Sequence, residues 1–305
     1  LLAGGEERGK RPRALIDWAI GPVWEANHVW LIFVLVMLWT AFSEAFGAIM
    51  STLFIPLCLA AVGIVLRGAG FAFHRVAGSS SGQRLSEVAF AVSSVLTPFF
   101  MGTVAGAIAS GRVPIGNAKG DPLTSWLNPV SLIIGVLFVA TGAYLAAVFL
   151  VSDARRFGDP ALERYFGARA LGAAAVTGVV AIAGLVVLRS DARYLFDGLT
   201  SEGLPFVLAS AACGLVALVL LQRRARRGIR PFAVAAVVAV LCGWAAAQYP
   251  YLLPQTLTIE DGAGASATLT AVLVVFGLAV LIVVPALLLL YTLDQRSILE
   301  EEAET

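Results

Sequence analysis

Eight stretches of about 20 apolar residues, at approximately 22–42, 46–67, 85–109, 129–151, 167–188, 204–221, 231–248 and 267–292, constrain this chain more than any other feature. As a helix, such a run crosses the roughly 30 Å hydrocarbon core of a bilayer. Inside that core each backbone amide and carbonyl must find a partner within the protein, which a helix achieves alone. The runs therefore predict an all-α integral membrane protein, a single transmembrane domain over residues 1–305 with eight transmembrane helices. The connectors at 1–21, 68–84, 110–128, 152–166, 189–203, 222–230 and 249–266, and the tail at 293–305, are too short for a soluble domain. The join "FSEAF" at 42–46 is very tight. Only 13% of the residues are charged, against roughly 25% in soluble domains.

The basic residues alternate from connector to connector. Seventeen of the 21 Lys and Arg fall on one side: Arg8, Lys10, Arg11, Arg13, Arg67, Arg75, Arg84, Arg155, Arg156, Arg164, Arg169, Arg223, Arg224, Arg226, Arg227, Arg230 and Arg296. Arg112, Lys119, Arg189 and Arg193 make up the other side. Cytoplasmic loops are the Lys/Arg-rich ones, so the N- and C-terminal ends of this chain are expected to be cytoplasmic. The opening "LLAGGEERGK" has neither Met nor a signal pattern, and an upstream segment is expected before it. The opposite loops, "GRVPIGNAKGDPLTSWLNP" and "AQYPYLLPQTLTIEDGAGAS", are rich in Gly and Pro and place Trp126, Tyr249 and Tyr251 at aromatic-belt positions. A net charge of +1 offers no electrostatic case for nucleic acid as a partner. Cys58, Cys213 and Cys242 stand alone in apolar runs and read as packing residues.

Ionisable groups within membrane segments cost about 2.5–3.5 kcal/mol each on insertion scales, so each one calls for a reason. Arg67 and Asp153, near basic-side boundaries, are expected to snorkel or cap, and Glu87, read in the first turn of its helix, to favour the helix dipole. Glu44 lies in the tight turn, where solvation and function are equally good readings. "GPVWEANHVW" at 21–30 is harder to dismiss. On a helix Trp24 and His28 are i,i+4 neighbours, and Glu25 with His28 and Asn27 with Trp30 are i,i+3 neighbours. A carboxyl beside an imidazole can pass protons; the alternative is a solvated pair within a headgroup-level indole belt. Axial haem ligation draws on His, Met, Cys or Tyr at membrane depth, and two His and three Met cannot house several haems. No nucleotide-binding, serine-hydrolase or zinc-protease motif occurs.

Three stretches carry a resemblance. "GPVWEANHVW", "STLFIPLCLAAVGIVLRGAGFAFHR", and "YPYLLPQTLTIEDGAGASATL" with the later "VPALLLLYT" resemble, in that order, subunit II of cytochrome bd-type quinol oxidases. The resemblance covers nearly the whole chain, less the family's first transmembrane helix. It implies nine helices in the family, arranged as two four-helix bundles plus a peripheral helix, and a heterodimer with the haem-bearing subunit I in a prokaryotic plasma membrane. In such a complex haems b and d belong to the partner subunit, quinol is the substrate and O2 is reduced to water with cytoplasmic protons. The resemblance also allows a small single-helix accessory subunit, and a structural quinone or membrane lipid on this subunit. The family motif W-D-G-N-E-V-W maps onto Trp24 to Trp30. By that resemblance Glu25 is the proton-path acid, with Asn27 and His28 beside it, and Trp30 and Trp24 flank an oxygen path. This chain departs from the motif at Glu25 (Asp), Ala26 (Gly) and His28 (Glu), and its ending "LDQRSILEEEAET" lacks the aromatic, Lys-ended tail of the family. Two rival readings stand beside it: a stand-alone proton-coupled secondary transporter and a purely structural membrane anchor.

Overall fold

The computed structural model describes residues 10–20, 24–76, 80–225 and 227–295. In chain order the elements are α1 (Lys10–Ile20), α2 (Trp24–Ala41), α3 (Ser43–Thr52), α4 (Phe54–Val76), α5 (Ser80–Ala109), α6 (Pro129–Arg156), α7 (Pro160–Asp191), α8 (Arg193–Thr200), α9 (Leu204–Gln222) and α10 (Ile229–Gln248). A short antiparallel hairpin follows, β1 (Tyr251–Leu253) with β2 (Leu257–Thr258), then α11 (Ile259–Gly262) and α12 (Ser266–Gln295). Two of the long helices start where local chemistry demands. The Asn128 side chain caps α6 by accepting from Ser131 N, the Asp159 side chain caps α7 by accepting from Ala161 N and Leu162 N, and proline opens each helix.

Among the described residues, six helices are long and apolar enough to cross a membrane, or seven if the bent pair α2 and α3 counts as one span. The chain is a multi-pass membrane protein. The stretch read as one run over 46–67 is divided at Leu53 into α3 and α4, and α3 turns away from α2 by 119°. The apolar part of α4, Phe54–Gly70, is at the short end of what spans a bilayer. Hydropathy conceals the division at Leu53, because that residue is fully buried where α3 and α4 meet.

In lipid, helices gain little from hiding apolar surface from one another and associate through close packing at small residues. The crossing of α5 and α6 follows that rule. A Cβ on Gly102 would lie 2.7 Å from the Cα of Gly135, and one on Gly106 would lie 2.5 Å from the Cα of Ser131. At the arginine-rich end, Leu15 of α1, Val148 and Val151 of α6, Phe166 of α7, Leu221 of α9 and Ile229 of α10 share one core. At the opposite end the 110–128 loop and the hairpin fold down over α3 and α5, so that Val113, Trp126, Leu253 and Leu257 pack with Ala48, Leu53 and Val104.

Two sequence readings change here. Trp126 does not sit in an aromatic belt: it is 7% exposed, its Nε1 donates to Pro122 O at 3.0 Å, and its ring meets Phe100 edge-on. Tyr249, at 66% exposure, is free to occupy such a position. Glu87 is not in a first turn either, because α5 begins at Ser80. The polar stretch before Glu87 forms two further turns, and its carboxylate lies 3.4 Å from Arg13 instead.

Candidate functional site

The residues singled out by sequence lie in the opening turns of α2, whose backbone is helical from Trp24 onward. That register keeps the i,i+3 and i,i+4 relations of the motif. The side chains of Trp24, Glu25, Asn27 and His28 lie outside the described residues. Trp30 is described: half-buried, it meets Phe33 edge-on with ring centroids 6.0 Å apart. Phe33 in turn stacks on Phe276 of α12 at 6.2 Å. A backbone bond from Gly264 N to Ala41 O, 2.8 Å, ties the far ends of the same two helices.

Aromatic contacts and this clasp therefore hold α12 against α2, and among the described elements α12 packs chiefly there. None of its apolar window Ser266–Leu290 is buried within the chain. Beyond the far end of α2, Glu44 is exposed in the first turn of α3, while Trp39 stacks on Phe46 across the bend.

Charge is concentrated at helix ends. Asp153 on α6 does not cap. It pairs with Arg230 on α10, whose guanidinium also donates to Phe149 O at 2.9 Å and lies 4.7 Å from the Phe149 ring. Arg155 donates through Nε to Glu163 at 2.8 Å and through Nη1 to Ala225 O at 2.6 Å, joining α6, α7 and the α9–α10 turn. Arg11 pairs with Asp159 and so brings α1 onto the α6–α7 turn. Arg67 lies with its guanidinium 5.3 Å from the Phe90 ring, a cation on an aromatic face.

At the other end Arg112 holds Asp191 in a two-pronged pair, 2.8 and 3.0 Å. This offsets the unfavourable placing of an acid at the C-terminus of α7. Asp121 accepts from Thr124 N and Leu123 N, and these backbone bonds hold its carboxyl below the usual carboxylate range. The turn keeps this support above that range and loses it as pH falls through the lowered pKa.

Sequence reasoning missed Phe33, Phe276 and the Asp153–Arg230 pair. The partners in each tertiary contact are far apart in the chain, and no local spacing signals them. Among the described residues, no group of three or more His, Cys, Asp or Glu can hold a metal ion. The two His of the chain fall in different helices, α2 and α4.

Comparison with known proteins follows from this geometry. A family model described as cytochrome bd terminal oxidase subunit II matches residues 2–294. No curated protein matches the sequence. The structure of bd oxidase from Geobacillus thermodenitrificans contains a chain similar to this one, with 27% identity and a TM-score of 0.75, covering 92% of this chain and 85% of that one.

Proposed function

The chain belongs to the cytochrome bd terminal oxidase subunit II family, and from that premise we propose that it is the haem-free subunit of a quinol:oxygen oxidoreductase. In this reading it scaffolds a haem-bearing subunit I and provides proton and oxygen access. The match over residues 2–294 is the observation that carries the reading. The structure adds support in α12, a helix of 30 residues that leaves its apolar length uncovered by its own chain. That length suits burial against a second membrane subunit.

Haems b and d, when bound in the partner, supply the electron transfer and oxygen chemistry. This chain's own residues do the rest. Glu25 takes up a proton at the basic mouth of α2, Asn27 and His28 orient and assist it, and Trp30 with Trp24 lines an apolar route for O2. Two four-helix bundles with a peripheral helix remain the proposed arrangement, and an accessory single-helix subunit and a bound structural quinone or lipid are compatible with it.

Copurification is the direct test. The chain isolated with its native partner should show reduced-minus-oxidised haem bands, and the chain alone should show none. A stoichiometric haem spectrum from the chain alone overturns the assignment. A chain that purifies alone and moves a solute supports the proton-coupled carrier instead.

The basic asymmetry also proposes an orientation, with the α6–α7 and α9–α10 turns in the cytoplasm. Once Cys58, Cys213 and Cys242 are replaced by serine, cysteines at the exposed positions Ala118 and Glu260, Ala118→Cys and Glu260→Cys, should react with an impermeant maleimide from outside. Gly158→Cys and Arg227→Cys should react only after permeabilisation. External labelling at residue 158 reverses the orientation.

A further inference from the structure

The turn between α9 and α10 is the most basic stretch of the chain. Arg223, Arg224, Arg226, Arg227 and Arg230 crowd residues 223–230, and no Asp or Glu occurs between Glu202 and Glu260. Arg230 already serves Asp153. The remaining carboxylates described at this end are also taken: Glu87 by Arg13, Asp159 by Arg11 and Glu163 by Arg155. Arg223, Arg224 and Arg227 are exposed and make no ion pair with a described residue.

The geometry of the turn sharpens the point. Ala225 N donates to Leu220 O at 2.9 Å and Arg224 N to Leu221 O at 3.1 Å, the bond pattern of a Schellman helix ending. The residue at its left-handed position is normally glycine, yet here it is Arg224, with φ 50°. Arg155 pins the carbonyl of the next residue, Ala225, so the arginines are presented from a fixed turn. Because α9 and α10 are both membrane spans, the turn lies at headgroup level.

We propose that the α9–α10 turn binds the phosphate headgroups of anionic phospholipids in the adjoining leaflet. Orientation alone asks for positive charge somewhere in this loop. It does not ask for an arginine where the backbone favours glycine, nor for a carboxylate-free hairpin around it. Each basic residue close to an anionic membrane surface strengthens binding about fivefold, so three uncompensated arginines amount to a strong local preference. The proposal is independent of the oxidase reading.

The test uses the full chain in whatever complex it purifies, placed in nanodiscs of phosphatidylglycerol mixed with phosphatidylcholine. Lipids retained on the protein are then counted by native mass spectrometry. Wild type should retain phosphatidylglycerol in preference to phosphatidylcholine, and Arg223→Gln/Arg224→Gln/Arg227→Gln should reduce that preference to near parity. Arg224→Gly suits the left-handed backbone and will fold; alone it should weaken the preference about fivefold. Wild-type preference in both variants overturns the proposal. So does complete displacement of the lipid by excess inorganic phosphate, which makes this a site for a soluble anion. A third arm neutralises the acidic tail with Glu300→Gln, Glu301→Gln, Glu302→Gln and Glu304→Gln. Lipid preference seen only in that variant shows that the chain's own tail occupies the turn and likewise overturns the proposal.

Discussion

Glu25→Gln should cut quinol-driven oxygen consumption by about tenfold or more, the low end of what a positioned proton-transfer group contributes. Glutamine keeps the size and much of the hydrogen bonding of the acid and removes only its exchangeable proton, so haem content and assembly should match wild type. His28→Gln should cause a smaller loss with a definite pH profile. If a protonated imidazole assists Glu25, the assistance exists below the titration range of histidine and is already gone above it. The defect is therefore largest in acid and fades as pH rises. Trp30→Ala provides the contrast. It opens the edge contact with Phe33 and should raise the O2 concentration needed for half-maximal rate, with little pH dependence. Oxygen electrode traces across pH and O2 concentration separate the three. Full turnover by Glu25→Gln in a fully assembled complex returns this acid to a solvated helix end.

Gly106→Val should prevent stable accumulation of the chain, and Gly106→Ala should lower its thermal midpoint by several degrees. The position has no room for a side chain: the new Cβ would lie 2.5 Å from the Cα of Ser131, which is backbone and has no rotamer to yield. Overpacking of this kind costs about 1–3 kcal/mol when the surroundings can shift, and here two long helices must separate. Gly142→Ala on α6 is the matched control. Nothing lies within 4 Å of its would-be Cβ, and alanine is the better helix former, so stability should hold or rise slightly. Membrane abundance and the unfolding midpoint of the purified complex decide the matter; a tolerated Gly106→Val means that the α5–α6 crossing is looser than described.

The two cases also show what a sequence like this conceals. The helix start at Asn128 with Pro129 is legible because its chemistry is local, whereas the start at Asp159 with Pro160 falls in 152–166, read as a connector because its residues are polar and charged. The division at Leu53 is not legible: α3 and α4 are both apolar there, and hydropathy has no term for direction. Trp126 read as a belt residue because a tryptophan at a membrane edge suits lipid and core alike; only the fold of the 110–128 loop decides for core. Glu87 was misplaced because polar residues before an apolar run look like a loop, while their backbone continues the helix. The candidate residues 24–30 were found by a short motif. Phe276, which supports their helix through Phe33, belongs to a distant segment and carries no signal of its own.

That last contact has a consequence in time. A chain made from its N-terminus produces α2 before α3 to α11 and α12 after them, so α2 must wait in the bilayer for its neighbour while those elements are made. Only then can Gly264 close on Ala41 and Phe276 on Phe33. The surface that the two helices build together does not exist on a nascent or prematurely ended chain. A partner that recognises it binds only chains in which α12 has been made and has closed on α2.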